Sequence, residues 1–404
     1  MTDARTTDGS AGAENPSAER TIAVLTTGRQ DWGILRSTCL AIRSTPGLRL
    51  RLLVGGMHLS VRHGATIRMI REDGFDPAAE LAWLEQPGED PATADRQAAT
   101  ALALVGAELA AHRPAALVVA GDRLETAAAA LAATLARVPI VHIHGGEQTE
   151  GAFDDALRHA ITKLSHLHLV SQPEHRARVI ALGEDPATIH VVGAPGLDNL
   201  FRTDLPSRDE LSSQLASDLV PPVVIVTVHP GTLESDPLGV VKAVIAAMDA
   251  VPATYVVTLP NTDPEAEAVR AALLAAGASG GRRVVTDALG ERRYWGLLRI
   301  ADAMLGNSSS GLVEAPAVDL PVVNVGDRQR GRHRERNVID VPAEPGAVID
   351  ALRRALEPGT RAEIAAGHVS RGDGHAGERI ARIIAAWDPP DPPRKAPIFV
   401  PDEP

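Results

Sequence analysis

Residues 116–146 read ALVVAGDRLETAAAALAATLARVPIVHIHGG. An apolar run ends at Gly121-Asp122, an alanine- and leucine-rich stretch carries on to Arg137, and after Pro139 a second apolar run ends at Gly145-Gly146. Neither run alternates apolar with polar residues, which suits strands covered on both faces, as in a parallel sheet. The stretch between them is long enough to be the crossover helix that a parallel pair requires. Strand, helix, strand is therefore predicted, and each strand hands over to polar residues at its carboxyl end.

The same form recurs in both directions. TIAVLTTG (21–28), LRLRLLVGG (48–56), LHLVS (167–171) and IHVVGAP (189–195) read as strands, as do PVVIVTVHP (222–230), TYVVTLPN (254–261), RRVVTD (282–287), AMLGNS (303–308) and PVVNVGD (321–327). Helical patterns such as GVVKAVIAAMDA (239–250) lie between them. This alternation predicts an α/β, doubly wound architecture. A chain of 404 residues exceeds one core. The pattern restarts after SRDELSSQL (207–215), where Ser207 and Glu210 have capping-box spacing. Two Rossmann-like domains facing a cleft are expected, over 20–200 and 201–370. Residues 1–19 are a polar tail expected to be disordered, 371–388 hold a last helix, and 389–404 form a Pro-rich tail that reads the same way as the first.

Composition narrows the function. A formal charge of −12 opposes a nucleic-acid surface, which needs clustered Lys and Arg, but leaves room for a phosphorylated small molecule. No apolar run reaches the ~18 residues that span a membrane. The single cysteine, Cys39, excludes an internal disulfide framework and fits a reducing cytoplasm. With aromatics at 2%, the core must be built from Ala, Val, Leu and Ile.

In an open parallel sheet ligands sit beyond the carboxyl ends of the strands, so the polar clusters there are the candidate site. GNSSSGLVEA (306–315) is a turn into a helix that points N–H groups at an anion. Ser308, Ser309, Ser310 and Gly311 would hold a diphosphate, with Glu314 placed for ribose hydroxyls, unless the serines serve only as an N-cap. TTGRQDWG (26–33) offers Arg29 as a cationic partner of the same diphosphate. Asp122 and Arg123 end a buried strand, where the carboxylate is either structurally paired or a tuned base. His142 and His144, two apart on a strand and so on one face, have a zinc-compatible spacing without a third ligand, so no metal is assigned. Glu147 with Asp154 and Asp155 crowds carboxylates together, which drives one pKa up and suits acid/base work. One of the Asp pair also suits helix capping; His159 and Lys163 suit the helix surface. His229 faces the cleft from the other half, as a phosphate donor or as a buried, satisfied imidazole.

TTGRQDWGILR (26–36), AGDRLETAAAALAA (120–133), VHIHGGEQTEGAFDDALRHAITKLSHLHLVS (141–171), VVGAPGLDN (191–199), GNSSSGLVEAP (306–316) and VVNVGDRQRGR (322–332), in that order, resemble the hydrolysing UDP-N-acetylglucosamine 2-epimerases. The resemblance covers about residues 20–370. It implies a glycosyltransferase-B type fold whose last helix, here GHAGERIARIIAAW (374–387), crosses back to the first domain. It also implies conversion of UDP-N-acetylglucosamine and water into N-acetylmannosamine and UDP through a 2-acetamidoglucal, without a cofactor. Carried over by motif, Asp122, Glu147 and Asp154 are acid/base groups, with Asp155 the competing choice, and His229 helps the departing diphosphate. Arg29, Arg123, Asn261, Ser308, Ser309 and Glu314 are the implied UDP contacts, with Arg328 close by. Non-hydrolysing relatives usually read HVEAG where this chain has HIHGG, so that His144 replaces their glutamate, and HGGE followed by an Asp pair favours the hydrolysing branch. The alternatives are a UDP-2,4-diacetamido-2,4,6-trideoxyglucose substrate, a non-hydrolysing epimerase and a UDP-sugar glycosyltransferase. A UDP-sugar substrate and a homodimer or homotetramer are the expected partners.

Overall fold

The computed structural model describes residues 19–61, 64–84, 93–148, 154–230, 238–260, 267–286, 289–330, 332, 334–366 and 372–395. The chain forms two parallel α/β sheets. The first has seven strands: β1 (Arg20–Thr26), β2 (Leu48–Gly55), β3 (Ala79–Leu81), β4 (Ala116–Ala120), β5 (Ile140–Ile143), β6 (Leu167–Val170) and β7 (Ile189–Val191), in the order β3-β2-β1-β4-β5-β6-β7. The second has six: β8 (Val223–Thr227), β9 (Thr254–Thr258), β10 (Arg283–Thr286), β11 (Ala303–Gly306), β12 (Val322–Val325) and β13 (Val338–Val341), in the order β10-β9-β8-β11-β12-β13. In each sheet the chain winds outward, then returns to the inner side of its first strand. The switch points are therefore β1/β4 and β8/β11, where crevices open at the carboxyl ends.

The unalternating runs are buried on both faces: every residue of β4, β5, β6 and β8 is buried. β3 and β13 were not anticipated. They are short edge strands, and β13 reads VIDV with only partial burial. The alanine-rich stretch is the helix Leu124–Ala136, ended by Arg137 in a left-handed conformation. It packs on the helix Ala94–His112, where a Cβ added at Gly106 would come within 3.9 Å of the Ala132 Cβ. Small side chains let the helices approach and make up for the scarcity of aromatic residues. Both halves of the Ser207/Glu210 capping box form.

The last helix, Ala376–Ala386, does return to the first sheet's layer. Its Ile380, Ala381 and Ile384 join the core built by Trp32, Leu35, Cys39 and Ile42 of the helix Arg29–Ser44. Asp198 accepts from the N–H groups of Ala376 (3.1 Å) and Gly377 (2.7 Å), a carboxylate at a helix N-terminus. The Arg20 guanidinium donates to the carbonyls of Ile384, Ala385 and Trp387 at the other end. The reading of the Pro-rich tail as disordered needs correction over 389–395: the Lys395 ammonium donates to the carbonyls of Thr162 (3.3 Å) and Lys163 (2.8 Å) and pairs with Glu184 at 2.5 Å. Those carbonyls lie in the last turn of the helix Asp154–Leu164, where a cation is favoured. The expected tails at 1–18 and 396–404 lie outside the described residues. Among the described residues no helix is long and apolar enough to cross a membrane.

Gly377 fixes how close the last helix lies. A Cβ there would sit 2.6 Å from the carbonyl carbon of Ser37 and 2.7 Å from its oxygen, which are backbone atoms that cannot rotate away. Gly377→Ala is expected to lower stability by about 1–3 kcal/mol; urea denaturation followed by tryptophan fluorescence measures it.

Candidate functional site

The site gathers at the carboxyl ends of β4 and β5. Asp122 follows β4 by one glycine turn, and the buried Arg158 of the helix Asp154–Leu164 donates to its carboxylate through Nη2. Through Nη1 the same guanidinium reaches Glu147 Oε2 at 3.3 Å and the His144 carbonyl at 3.4 Å. Glu147 Oε1 meets His144 Nδ1 at 2.5 Å and accepts from Ser171 Oγ at 2.9 Å, at the end of β6, with His175 Nδ1 at 3.9 Å. Burial alone would raise the Glu147 pKa, but His144, Arg158 and His175 together hold its carboxyl well below the ordinary range. Asp154, the first residue of its helix, behaves in the opposite sense: burial and then the Asp122 carboxylate push it up, against Arg123 and Arg158. Its neighbour Asp155 pairs with His159 at 3.4 Å, one turn along the helix. Lys163 pairs with the buried Glu184 at 2.6 Å.

The two-histidine face predicted from spacing is not formed. β5 ends at Ile143, and His144 has φ +65°, so the chain has left the strand and turned. His142 stays in the sheet, fully buried, bonded to the Gly121 carbonyl (2.9 Å) and Thr162 Oγ1 (3.2 Å). Burial lowers its pKa to about 3, so it is a neutral structural imidazole.

Arg123 precedes the helix Leu124–Ala136 without capping it through its side chain and lies 3.4 Å from the Glu125 carboxylate. Arg29 is exposed at the start of its helix. Beside it stands a residue that sequence reasoning passed over: Asp31 is buried and accepts from the Thr27 N–H at 3.1 Å and from its hydroxyl. His58, also missed, is held by Thr26 (2.9 Å) and Thr66 (2.8 Å) and is lowered to about 4 by burial.

On the second wall, Asn307 ties the ends of β8 and β11 together, accepting from the His229 N–H at 2.8 Å and donating to its carbonyl at 2.9 Å. Its own carbonyl accepts from Arg328 (3.1 Å) and Gln329 (2.9 Å). Burial, then Arg328, lower His229 to about 4, leaving it neutral near pH 7. Gly306 permits this join: at φ +138° a Cβ would lie 2.0 Å from the Thr227 carbonyl oxygen. Ser308 accepts from the Ser310 N–H at 3.3 Å, and Ser310 bonds the Tyr294 hydroxyl. The helix beyond the serines, Ser310–Val313, is a single turn running into a 3-10 turn. One turn supplies little helix dipole, so an anion here would depend on the N–H and hydroxyl groups of the turn itself. Gly311 packs on Val322, and Glu314 Oε2 is buried without a protein partner among the described residues. Burial raises Glu314, opposed by Ser310 and Arg332. Asn261 lies outside the described residues.

Arg332 links the walls. Although it belongs to the second half, it interacts electrostatically with Arg158, Glu147 and Asp122 on the first wall as well as with Glu314 on its own. It ends the motif VVNVGDRQRGR, where the sequence gives it no distinguishing mark. Arg158 was likewise missed, and its signal was present: an arginine four residues after Asp154 shares that residue's helix face.

A family model described as UDP-N-acetylglucosamine 2-epimerase matches residues 40–385. The chain belongs to that family. Among the family's named members, it is 33% identical over 345 residues to UDP-N,N'-diacetylbacillosamine 2-epimerase (hydrolyzing) of Legionella pneumophila, covering 83% of this chain and 89% of the relative. It is 31% identical over 334 residues to polysialic acid biosynthesis protein P7 of Escherichia coli (82% and 85% covered). It is 30% identical over 339 residues to UDP-N-acetylglucosamine 2-epimerase of Neisseria meningitidis (84% and 88%). In fold it is similar to a solved putative family member from Listeria monocytogenes, with TM-score 0.77 at 18% identity over 94% of this chain and all of that one. It is also similar to a UDP-GlcNAc 2-epimerase from Neisseria meningitidis solved bound to UDP-GlcNAc, with TM-score 0.71 at 17% identity over 91% and 100%. The glycosyltransferase-B type fold and the epimerase family stand on these matches.

The Glu147 network carries a pH signature. Its folded pKa lies below the ordinary 4.5, so its ionisation stabilises the fold above that pH, and this contribution is lost as pH falls through and below it. The urea midpoint is expected to drop between about pH 5 and pH 3 more steeply in the native protein than in Glu147→Gln.

Proposed function

We propose that this epimerase is a hydrolysing one: it takes a UDP-linked 2-acetamido sugar, UDP-N-acetylglucosamine in the first reading, and water to the free 2-epimerised sugar and UDP. The observation that carries this is the guanidinium of Arg158 joining Asp122 to Glu147 on one wall while Arg332 reaches those groups and Glu314 from the other. Proton-transfer groups and a nucleotide-competent turn thereby face one cleft.

Asp122, Glu147 and Asp154 form the acid/base set on the first wall. A base on the same wall removes the C2 hydrogen as a proton, the C–H pair becomes the C1=C2 double bond, and the C1–O bond breaks with its pair leaving on UDP. Hydration then places a hydroxyl on C1 and a proton on the opposite face of C2. Asp154, whose pKa is raised, suits the donor of that proton, and Asp155, occupied by His159, suits it less. The neutral His229 donates to the departing diphosphate with Arg29, Arg123 and Arg328 as counter-charges. Ser308, Ser309, Ser310 and Gly311 hold the diphosphate, and Glu314 accepts from the ribose; Asn261 is a further contact. The protein acts in the cytoplasm as a homodimer or homotetramer, the domains meeting at residues 200–201.

A second substrate, UDP-2,4-diacetamido-2,4,6-trideoxyglucose, is favoured by the name of the 33% identical Legionella relative. Both are tested in deuterated water by proton NMR. The expected product is free 2-epimerised sugar deuterated at C2, with UDP released in equal amount. A 2-epimerised UDP-sugar would move the protein to the non-hydrolysing branch, and a strict need for an acceptor would make it a transferase.

A further inference from the structure

Glu147 is poorly placed to take a proton. Its Oε1 is shared by Ser171 and His144, its Oε2 by Arg158, and these partners lower its basicity. A general base works best with a pKa near the working pH. His144 instead presents a buried ring nitrogen that has no protein partner among the described residues. It is a non-glycine residue in the left-handed region, followed by two glycines that would occupy that region more easily, and this turn sets its ring against Glu147. With Nδ1 spent on the carboxylate, Nε2 becomes the nitrogen that carries the lone pair, and it is buried with no protein partner among the described residues. Most buried polar groups in proteins are hydrogen-bonded, and this nitrogen, held beside the Glu147–Arg158–Asp122 network at a strand end, leaves room for a reacting group.

We propose that His144 is the group that accepts the C2 proton, with Glu147 as the carboxylate that fixes its tautomer and stabilises the imidazolium. This deepens the hydrolysing-epimerase reading and rests on it. The Nε2 lone pair binds the C2 hydrogen as a proton, the C–H pair forms the C1=C2 bond, and the C1–O pair leaves with UDP. The imidazolium lies against the Glu147 carboxylate, as in a histidine–carboxylate dyad. The other groups recorded around the ring are Arg158, whose charge is shared with Asp122 and Glu147, and His142 and His175, both lowered by burial and so neutral near pH 7. Asp154, pushed up by burial and the Asp122 carboxylate, is left as the donor to the opposite face of C2.

His144→Asn removes the imidazole while keeping a residue that tolerates the left-handed backbone. Turnover of the UDP-sugar is expected to fall about 100-fold or more, with UDP affinity by calorimetry unchanged within about threefold. The residual rate should lack the acidic limb of the native pH profile. Glu147→Gln should slow turnover and move that limb to lower pH, because the imidazolium loses its counter-charge. The proposal is overturned if His144→Asn keeps its rate within tenfold, or if it keeps the limb while Glu147→Gln abolishes it. Lost UDP binding in His144→Asn makes the residue structural and sinks the dyad. Native protein that places no deuterium at C2 removes the epimerase reading itself, a different failure.

Discussion

One buried cation organises the first wall. The Arg158 side chain is only 6% exposed, yet it serves two carboxylates that follow different strands and a carbonyl at the turn between them. An isolated guanidinium could not be kept there, and neither could Asp122 and Glu147 at close quarters without it. The three groups therefore hold one another in place, and with them the loops after β4 and β5. In this arrangement neighbouring carboxyls differ in basicity: Glu147 is held down by His144, Arg158 and His175, while Asp154 is pushed up by burial and the Asp122 carboxylate. Divergent pKa values in neighbouring groups are what separates an acid from a base in one site.

The second wall is held by backbone rather than by charge. Asn307 stitches the ends of β8 and β11 through both its amide and its carbonyl, and Gly306 allows the strands to close up. This fixes His229 and the serine turn relative to one another before any ligand contributes. At the junction of the halves, Trp32 and Arg202 both bind Asp73, at 2.8 and 2.9 Å, and Glu291 lies buried beside Gly33 with a carboxyl raised to about 7 by burial and Asp73.

Much of the fold is legible in the chain because long unalternating Val/Ile runs admit few placements. The strand-end rule then brings Asp122, Glu147, Asp154 and His229 forward from the sequence; Arg158 joins the first two, and Asp154 feels the Asp122 charge. What stayed hidden is instructive. β3 and β13 are edge strands of three and four residues, too short to show a period. Arg158 sits in a helix, where an arginine is by default a surface residue, and only its burial reveals its role. The two-residue spacing of His142 and His144 implied a shared face, but the strand stops between them, and a φ of +65° at a non-glycine residue is not written in the sequence. Lys395 stands in a Pro-rich stretch whose composition resembles an unstructured tail, and its anchorage depends on Glu184, more than two hundred residues away.

The last helix and Lys395 belong to the first wall although they are made last. Ile380, Ala381 and Ile384 complete a core begun by Ile22 and Val24, and Lys395 closes the helix that begins with Asp154 and carries Arg158. During translation, therefore, the amino-terminal half cannot finish folding when it leaves the ribosome. Its exposed apolar face must wait for the carboxyl terminus to emerge, which places the chain among those that need protection from premature association while still being synthesised.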